Sequence, residues 1–284
     1  MTAAPHRTWF VTGASAGFGR VIVTTALAHG DRVVATARRP EDLDDLSGPD
    51  DRLLRLRLDV TDSEQVDAAV TDAEAWAPDG IDALVNNAGH GYLGAVEELS
   101  TDDVLALLSV NLLGAHAVTR AVLPHMRARQ RGHVVQMSSV GGVVGNPGHA
   151  AYAMSKFGLE GMSNALAGEV APFGIRVTII EPGPFRTEFA GRSMQAAPAI
   201  GAYRDTPAGR LRESMPGQDG VQPGDPQRAA EAIVAVVEHP NPPLRLPMGA
   251  AAVRRIREAL EGRLAELAEW EKVALDTDFP ASRS

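Results

Sequence analysis

The chain has 284 residues, no cysteine and a formal net charge of −9. Without cysteine there is no disulfide, thiolate metal site or cysteine nucleophile, and without a basic block no nucleic-acid partner is expected. The N-terminus does not read as a signal peptide and no apolar run reaches the roughly 18–20 residues of a membrane span, so the expectation is a cytoplasmic protein with no membrane partner.

Apolar strand-like runs alternate with helical periodicity. Strands are predicted over 9–12, 32–37, 53–59, 83–86, 133–138, 176–181 and 244–247, and helices near 18–29, 62–76, 101–129, 151–171 and 226–239. Continuous apolar strands separated by helices predict a single α/β domain of Rossmann-like type. Its doubly wound parallel sheet would have about seven strands, with helices on both faces. No linker divides the chain.

The first strand runs into Thr12, Gly13, Ala14, Ser15, Ala16, Gly17, Phe18 and Gly19. Glycines at a strand-to-helix junction permit a tight turn and let the backbone approach a pyrophosphate, while the helix N-terminus presents unpaired N–H groups to it. The spacing G-x-x-x-G-x-G differs from G-x-G-x-x-G, so the motif alone also fits a structural glycine turn. The second strand ends without the carboxylate that an NAD site places at the ribose, and Arg38 and Arg39 follow it. A guanidinium suits a 2′-phosphate, so the expected cofactor is NADP(H). The alternative is a pair of solvated loop charges. Glu41, Asp42, Asp44 and Asp45 read as the solvated face of a following helix.

Asn86, Asn87, Ala88 and Gly89 follow another strand and belong on the same rim, with His90 and Tyr92 within reach of its mouth. Asn111 lies among apolar residues inside the 101–129 helix, where an amide is a satisfied core group, a water ligand or a source of distortion. Ser139 stands directly after the 133–138 strand, at the carboxyl edge where functional groups gather in such sheets. Tyr152 and Lys156 lie four apart on one helix face. A neighbouring ammonium is expected to lower a phenol's pKa from near 10, which suits proton transfer. His149 reads either as a pocket contact or as an ordinary loop histidine. Eight histidines show no ligand spacing, so no metal site is expected.

Phe185, Phe189 and Met194 begin a Gly- and Pro-rich stretch of weak periodicity, 186–224, read as an irregular substrate lid. With Val140, Val143 and Val144 they are expected to form an apolar pocket, which favours a ketone with a hydrophobic body over a small charged acid. The last segment, 250–274, spaces Val253, Ile256, Leu260, Leu264, Leu267 and Trp270 as an amphipathic helix, expected to pack on its own domain.

Taken together, the glycine turn, Asp59-Val60, Asn86–Gly89, Asn111, Ser139, Tyr152, Lys156 and the run Pro182–Thr187 resemble the short-chain dehydrogenase/reductase family over residues 8–247. The resemblance implies an oxidoreductase that moves a hydride between NADP(H) and a ketone or secondary alcohol. Tyr152 would be the general acid or base, Ser139 the carbonyl orienter, Lys156 the ribose ligand, and Asn111 the holder of a relay water. It implies cofactor contacts from Gly13, Ser15, Gly17, Phe18, Gly19, Asp59, Val60, Asn87, Ala88, Gly89, Pro182, Gly183, Phe185 and Thr187. It also implies a homo-oligomer, dimer or tetramer, built through the helices near 101–129 and 151–171. The substrate expected is a small carbonyl or alcohol with an apolar body. Competing readings are a nucleotide-sensing regulator without catalysis, and a nicotinamide-dependent epimerase or dehydratase.

Overall fold

Side chains of a strand alternate between faces, and here both faces are apolar, so each central strand needs a helical layer on either side. In β1 (Thr8–Val11) Trp9 and Val11 enter one buried cluster and Phe10 the other. The same division holds for Val33 and Ala35 against Val34 in β2 (Arg32–Ala37). The computed structural model describes residues 7–279. The remaining elements, in chain order, are α1 (Gly17–Ala28), which precedes β2, then β3 (Leu53–Arg57), α2 (Ser63–Trp76), β4 (Ala83–Asn86), β5 (Gly91–Leu93), α3 (Thr101–Leu108), α4 (Ala115–Arg129) and β6 (Gly132–Met137). They continue with α5 (Ala150–Val170), β7 (Ile175–Pro182), β8 (Met194–Ala196), α6 (Pro207–Ser214), α7 (Pro226–Glu238), β9 (Arg245–Met248) and α8 (Ala250–Leu275).

The seven expected strands form one parallel sheet in the order β3-β2-β1-β4-β6-β7-β9. The order reverses direction beside β1, and this switch point leaves a crevice at the carboxyl ends of the strands. Helices α1 and α7 bury Ile22, Val23, Ala230, Ile233 and Val234 on one face, while α2 and α4 bury Val66, Val70, Val118 and Val122 on the other. Helix α7 starts as its sequence predicts: Asp225 accepts from the Gln227 and Arg228 amides, and Pro226 follows it.

Five expectations change. Residues 101–129 are not one α-helix, because a π-helical turn, Ser109–Gly114, separates α3 from α4. This is also the stretch that does combine the length and apolarity of a membrane span, with a mean hydropathy of 1.4. Its residues Leu107, Val118, Val122 and Met126 are fully buried in the domain. The acidic run after β2 is a short 3₁₀ turn, Pro40–Leu43, and two of its carboxylates are paired: Asp42 with Arg39 and Asp45 with Arg20.

The 186–224 stretch is ordered into β8, α6 and short 3₁₀ turns. Strand β8 pairs with β5 in a second, two-stranded sheet. The buried Glu98 carboxylate accepts from the Ala95 and Ile200 amides, both at 2.8 Å, and pairs with Arg212 at 2.6 Å. These partners are distant in sequence, so the order leaves no local periodicity. Helix α8 packs on its own domain only at its start, where Ala252 and Ile256 meet Val140, Val143 and Val144. Beyond Arg263, which reaches the Val143 carbonyl at 3.3 Å, Leu264, Leu267 and Trp270 are exposed, 66%, 60% and 61% respectively.

Candidate active site

The turn after β1 is built by hydrogen bonds from neighbouring strands. The Ala14 amide donates to Thr36 O at 2.9 Å, and Thr12 Oγ1 accepts from the Asn87 and Ala88 amides at 2.9 and 3.0 Å. Asn87 Nδ2 donates to the carbonyls of Thr12 and Gly13 at 2.9 and 3.0 Å. A Cβ on Gly19 would lie 2.3 Å from Gly13 O, and one on Gly13, where φ is +66°, would lie 2.9 Å from Ala88 Cα. These two glycines are required by close approach, as the sequence suggests. Gly17, at φ +52°, is needed for its backbone conformation. Helix α1 begins after Ala16 with no side-chain cap, so its first N–H groups are free for an anion.

A cleft of about 820 Å³ runs from this turn to the lid. Ser15, Gly17, Phe18, Arg38, Asp59, Val60, Ala88 and Gly89 line its nucleotide end, and Ser139, Tyr152, Lys156, Pro182, Gly183, Phe185 and Thr187 its middle. Asp59 Oδ1 accepts from the Thr61 amide and hydroxyl at 3.0 and 2.7 Å, which fixes the loop after β3. Phe185 packs its ring 5.2 Å from that of Phe18, joining the loop after β7 to the glycine turn. Arg39 also lines the cleft, but its guanidinium is held by Asp42 at 3.0 and 3.1 Å. Arg38 has no carboxylate partner among the described residues. The glycine cradle, the uncapped helix and the unpaired Arg38 together fit a dinucleotide carrying a 2′-phosphate.

At the catalytic end, Ser139 follows β6 in extended backbone and its Oγ accepts from the Gly141 amide at 3.0 Å. Helix α5 sets Tyr152 and Lys156 on its buried face, with Lys156 Nζ 5.8 Å from the phenol ring centroid. Nζ donates to Met137 O at 2.7 Å. Burial pushes the phenol up to about 12, the Ser139 hydroxyl acting in the opposite direction. Burial also brings the ammonium down to about 8, opposed by the Glu160 carboxylate. The expected lowering of the phenol by Lys156 is not seen in the protein alone, where burial sets the direction and only the Ser139 hydroxyl opposes it. At neutral pH the phenol keeps its proton.

Asn111 sits in the π-turn, where the regular helical ladder is broken. Its amide bridges to the strand-four loop: Oδ1 accepts from the His90 amide at 3.0 Å, and Nδ2 donates to His90 O at 2.9 Å and Ser155 Oγ at 3.2 Å. The side chain thus fixes α5 relative to Gly89 and His90, and both of its ends are already used by the protein. Below the site, Arg245 pairs with Glu160 at 3.1 Å, and the buried Glu181 is pushed up to about 7 by burial and by the Glu160 charge. Neither carboxylate was singled out by motif, since a glutamate on β7 and one on α5 meet only in three dimensions.

The pocket wall departs from expectation in part. Phe189 lies with its ring 5.5 Å from Tyr152, and Met194 lines the lid side. Val140 lines the cleft, whereas Val143 and Val144 are turned to α8. His90 reaches the cleft, but Tyr92 does not, because its hydroxyl donates to Asp103 at 2.6 Å inside a small apolar cluster. His149 packs its ring 5.9 Å from Tyr152 and burial lowers its pKa to about 4, leaving it neutral. Asn146, Leu211, Met215, Gln222 and Arg255 complete the substrate end. They carry no motif and come from three separate segments.

The family model of the short chain dehydrogenases matches residues 7–197. The chain is 40% identical over 270 residues to oxidoreductase BOA17 of Botryotinia fuckeliana (strain B05.10), covering 94% of this chain and 97% of that protein. The crystal structure of a short-chain dehydrogenase from Streptomyces avermitilis superposes with a TM-score of 0.88 at 44% identity, covering 96% of this chain and all of that one, 100%. A short chain dehydrogenase from Burkholderia cenocepacia J2315, solved in complex with NADP, superposes with a TM-score of 0.73 at 26% identity, covering 93% and 97%.

Proposed function

This chain belongs to the short-chain dehydrogenase/reductase family of oxidoreductases, and we propose that it is an NADP(H)-dependent carbonyl reductase or alcohol dehydrogenase in which Tyr152 handles the proton. The observation that carries the reading is the meeting of Ser139, Tyr152 and Lys156 at the carboxyl edge of the sheet, in one cleft with the glycine turn. Arg38 supports the phosphorylated cofactor, as does the NADP found in the Burkholderia cenocepacia relative.

NADP(H), when bound, supplies or accepts the hydride. The protein orients the reacting groups and moves the proton. Ser139 Oγ, fixed by the Gly141 amide, donates a hydrogen bond to the substrate oxygen and polarises the carbonyl. The buried Tyr152 phenol gives its proton to that oxygen as negative charge develops there. Lys156, held by Met137 O, stabilises the resulting phenolate and binds the nicotinamide ribose. Asn111 holds the loop at His90 against α5, and its π-turn is where a water would return the proton.

The test is NADPH consumption over a panel of ketones and aldehydes. Turnover that falls by about 10²–10⁴-fold in Tyr152→Phe, the range for a lost general acid, supports the reading. Measurable NADPH binding with no turnover on any carbonyl counts against it.

Self-association belongs to the same reading. Leu105, Leu113, Met154 and Phe157 are exposed on the outer faces of α3, the π-turn and α5. Arg263 of α8 lies 5.9 Å over the Phe157 ring, so the exposed stripe of α8 continues from that face. Both signs of charge flank this stripe along the whole helix: Arg254, Arg255, Arg257, Glu258 and Glu261 in its first half, and Arg263, Glu266, Glu269, Glu271 and Lys272 in its second. This exposed apolar stripe, continuous with the α5 face, suits a second copy of this chain packed about a two-fold axis. Light scattering on the wild type and on Leu264→Glu is expected to show a dimer or larger species that loses mass in the variant. A wild-type monomer refutes it.

A further inference from the structure

Four arginines line the cleft: Arg38, Arg39, Arg192 and Arg255. Arg39 is neutralised by Asp42, and Arg192 by Glu188 at 2.5 Å. Arg38 and Arg255 have no carboxylate within 4.0 Å among the described residues. They stand at opposite ends. Arg38 marks the nucleotide end, where a phosphate would neutralise it. Arg255 marks the other end.

Its position is fixed by packing. Helix α8 is pinned by Ala252 and Ile256 against the loop after Ser139, and Arg255 projects between them to the same loop. There its Nη2 donates to Asn146 Oδ1. Asn146 in turn accepts the His149 amide at 3.0 Å through its backbone carbonyl, and the His149 ring lies against Tyr152. A guanidinium offers five N–H donors in a rigid fork, and Asn146 takes only one. The carboxylates lining the cleft are Asp42, Asp59 and Glu188. Two of them are paired, and Asp59 is held by Thr61 at the nucleotide end. No free carboxylate therefore opposes Arg255. His149, neutral at physiological pH, adds no second positive charge beside it.

We infer that Arg255 anchors a carboxylate on the substrate, so that the preferred substrate is a keto acid or hydroxy acid whose apolar chain lies between Phe189, Met194, Leu211 and Met215. This rests on the reductase reading and extends it. The carbonyl is held at Ser139 and Tyr152, the chain crosses the apolar lid, and the carboxylate meets a half-buried cation already oriented by Asn146. Such a remote contact contributes binding energy to kcat/KM without touching the reacting bond.

The experiment compares levulinate and its longer straight-chain homologues with their methyl esters, in the wild type and in Arg255→Ala, Arg255→Lys and Arg255→Glu. The wild type is expected to favour one of the acids over its ester by about tenfold or more in kcat/KM. That preference should fall roughly ten- to hundred-fold in Arg255→Ala, the effect of one lost hydrogen bond to a charged group. Lysine should restore part of it, and glutamate should reverse it. Equal use of acids and esters by the wild type overturns the anchor while leaving the reductase intact. So does an equal loss on both in Arg255→Ala, which would make Arg255 a clamp for the Asn146 loop. If no carbonyl is turned over, the reductase reading fails by itself. Calorimetric binding of decanoate to the NADP-loaded protein then decides the anchor: binding that weakens about tenfold in Arg255→Ala keeps it, and binding that is absent or unchanged overturns it.

Discussion

The nucleotide end and the substrate end of the cleft are built on different principles. At the nucleotide end, short-range chemistry dominates. A turn of three glycines, a helix N-terminus and the tip of β2 lie close in sequence, and neighbouring strands brace them through Thr12 and Asn87. At the substrate end the wall is assembled from the loop after β6, the lid and α8. It is held by long-range ties such as Glu98 to Arg212 and Arg255 to Asn146. One end recognises a ligand shared across a family, while the other is free to change with the substrate.

The sharpest way to break this comparison is Arg38→Ala. Removing one charge-assisted contact to a 2′-phosphate is expected to weaken NADPH binding about ten- to hundred-fold, with NADH binding and the ranking of ketones left as they were. Titration by NADPH fluorescence reads the first, and the substrate panel the second. A shift in ketone ranking would show that the two ends are coupled.

The pH dependence gives a smaller effect. Lys156 is cationic below about 8 and loses its charge as the pH rises through that value, whereas Tyr152 keeps its proton until about 12. Reductive kcat/KM is therefore expected to be flat near neutrality and to fall up to about tenfold per pH unit above 8. A profile flat to pH 10 would remove Lys156 from the proton chemistry.

The smallest effect concerns the latch. Glu98→Ala leaves Arg212 and two amides without their acceptor, at a cost of about 1–3 kcal/mol for buried polar groups left unpaired. The expected result is faster proteolysis within 190–224 and a higher KM for bulky ketones, with NADPH affinity unchanged. If the lid stays equally resistant, Glu98 is not what orders it.

Much of the candidate site was legible because its signals are chemical and local. Ser139 lies just past the end of a strand, Tyr152 and Lys156 share one helix face, and Asp225-Pro226 marks the start of α7. Elsewhere the signal was missing or misleading. The order of 186–224 comes from β5, Glu98 and Arg212, whose separation leaves no periodicity to read. The stripe on α8 predicts an apolar face correctly, but spacing does not say what covers it. Val143 and Val144 were expected in the pocket, yet two residues beside a glycine-rich loop can turn either way, and α8 claims them.

By itself the sequence determined the α/β class, the seven parallel strands, the glycine turn after the first of them, and the places of Ser139 at a strand end and of Tyr152 and Lys156 on one helix face. Each follows from periodicity or from short-range geometry that neighbours along the chain impose. Only the tertiary structure decided that Asp42 takes Arg39 and leaves Arg38 without a carboxylate partner among the described residues, that burial raises the Tyr152 phenol, and that α8 brings Arg255 to the cleft. Those outcomes depend on desolvation and on contacts between residues far apart in the chain, and neither is written in local sequence.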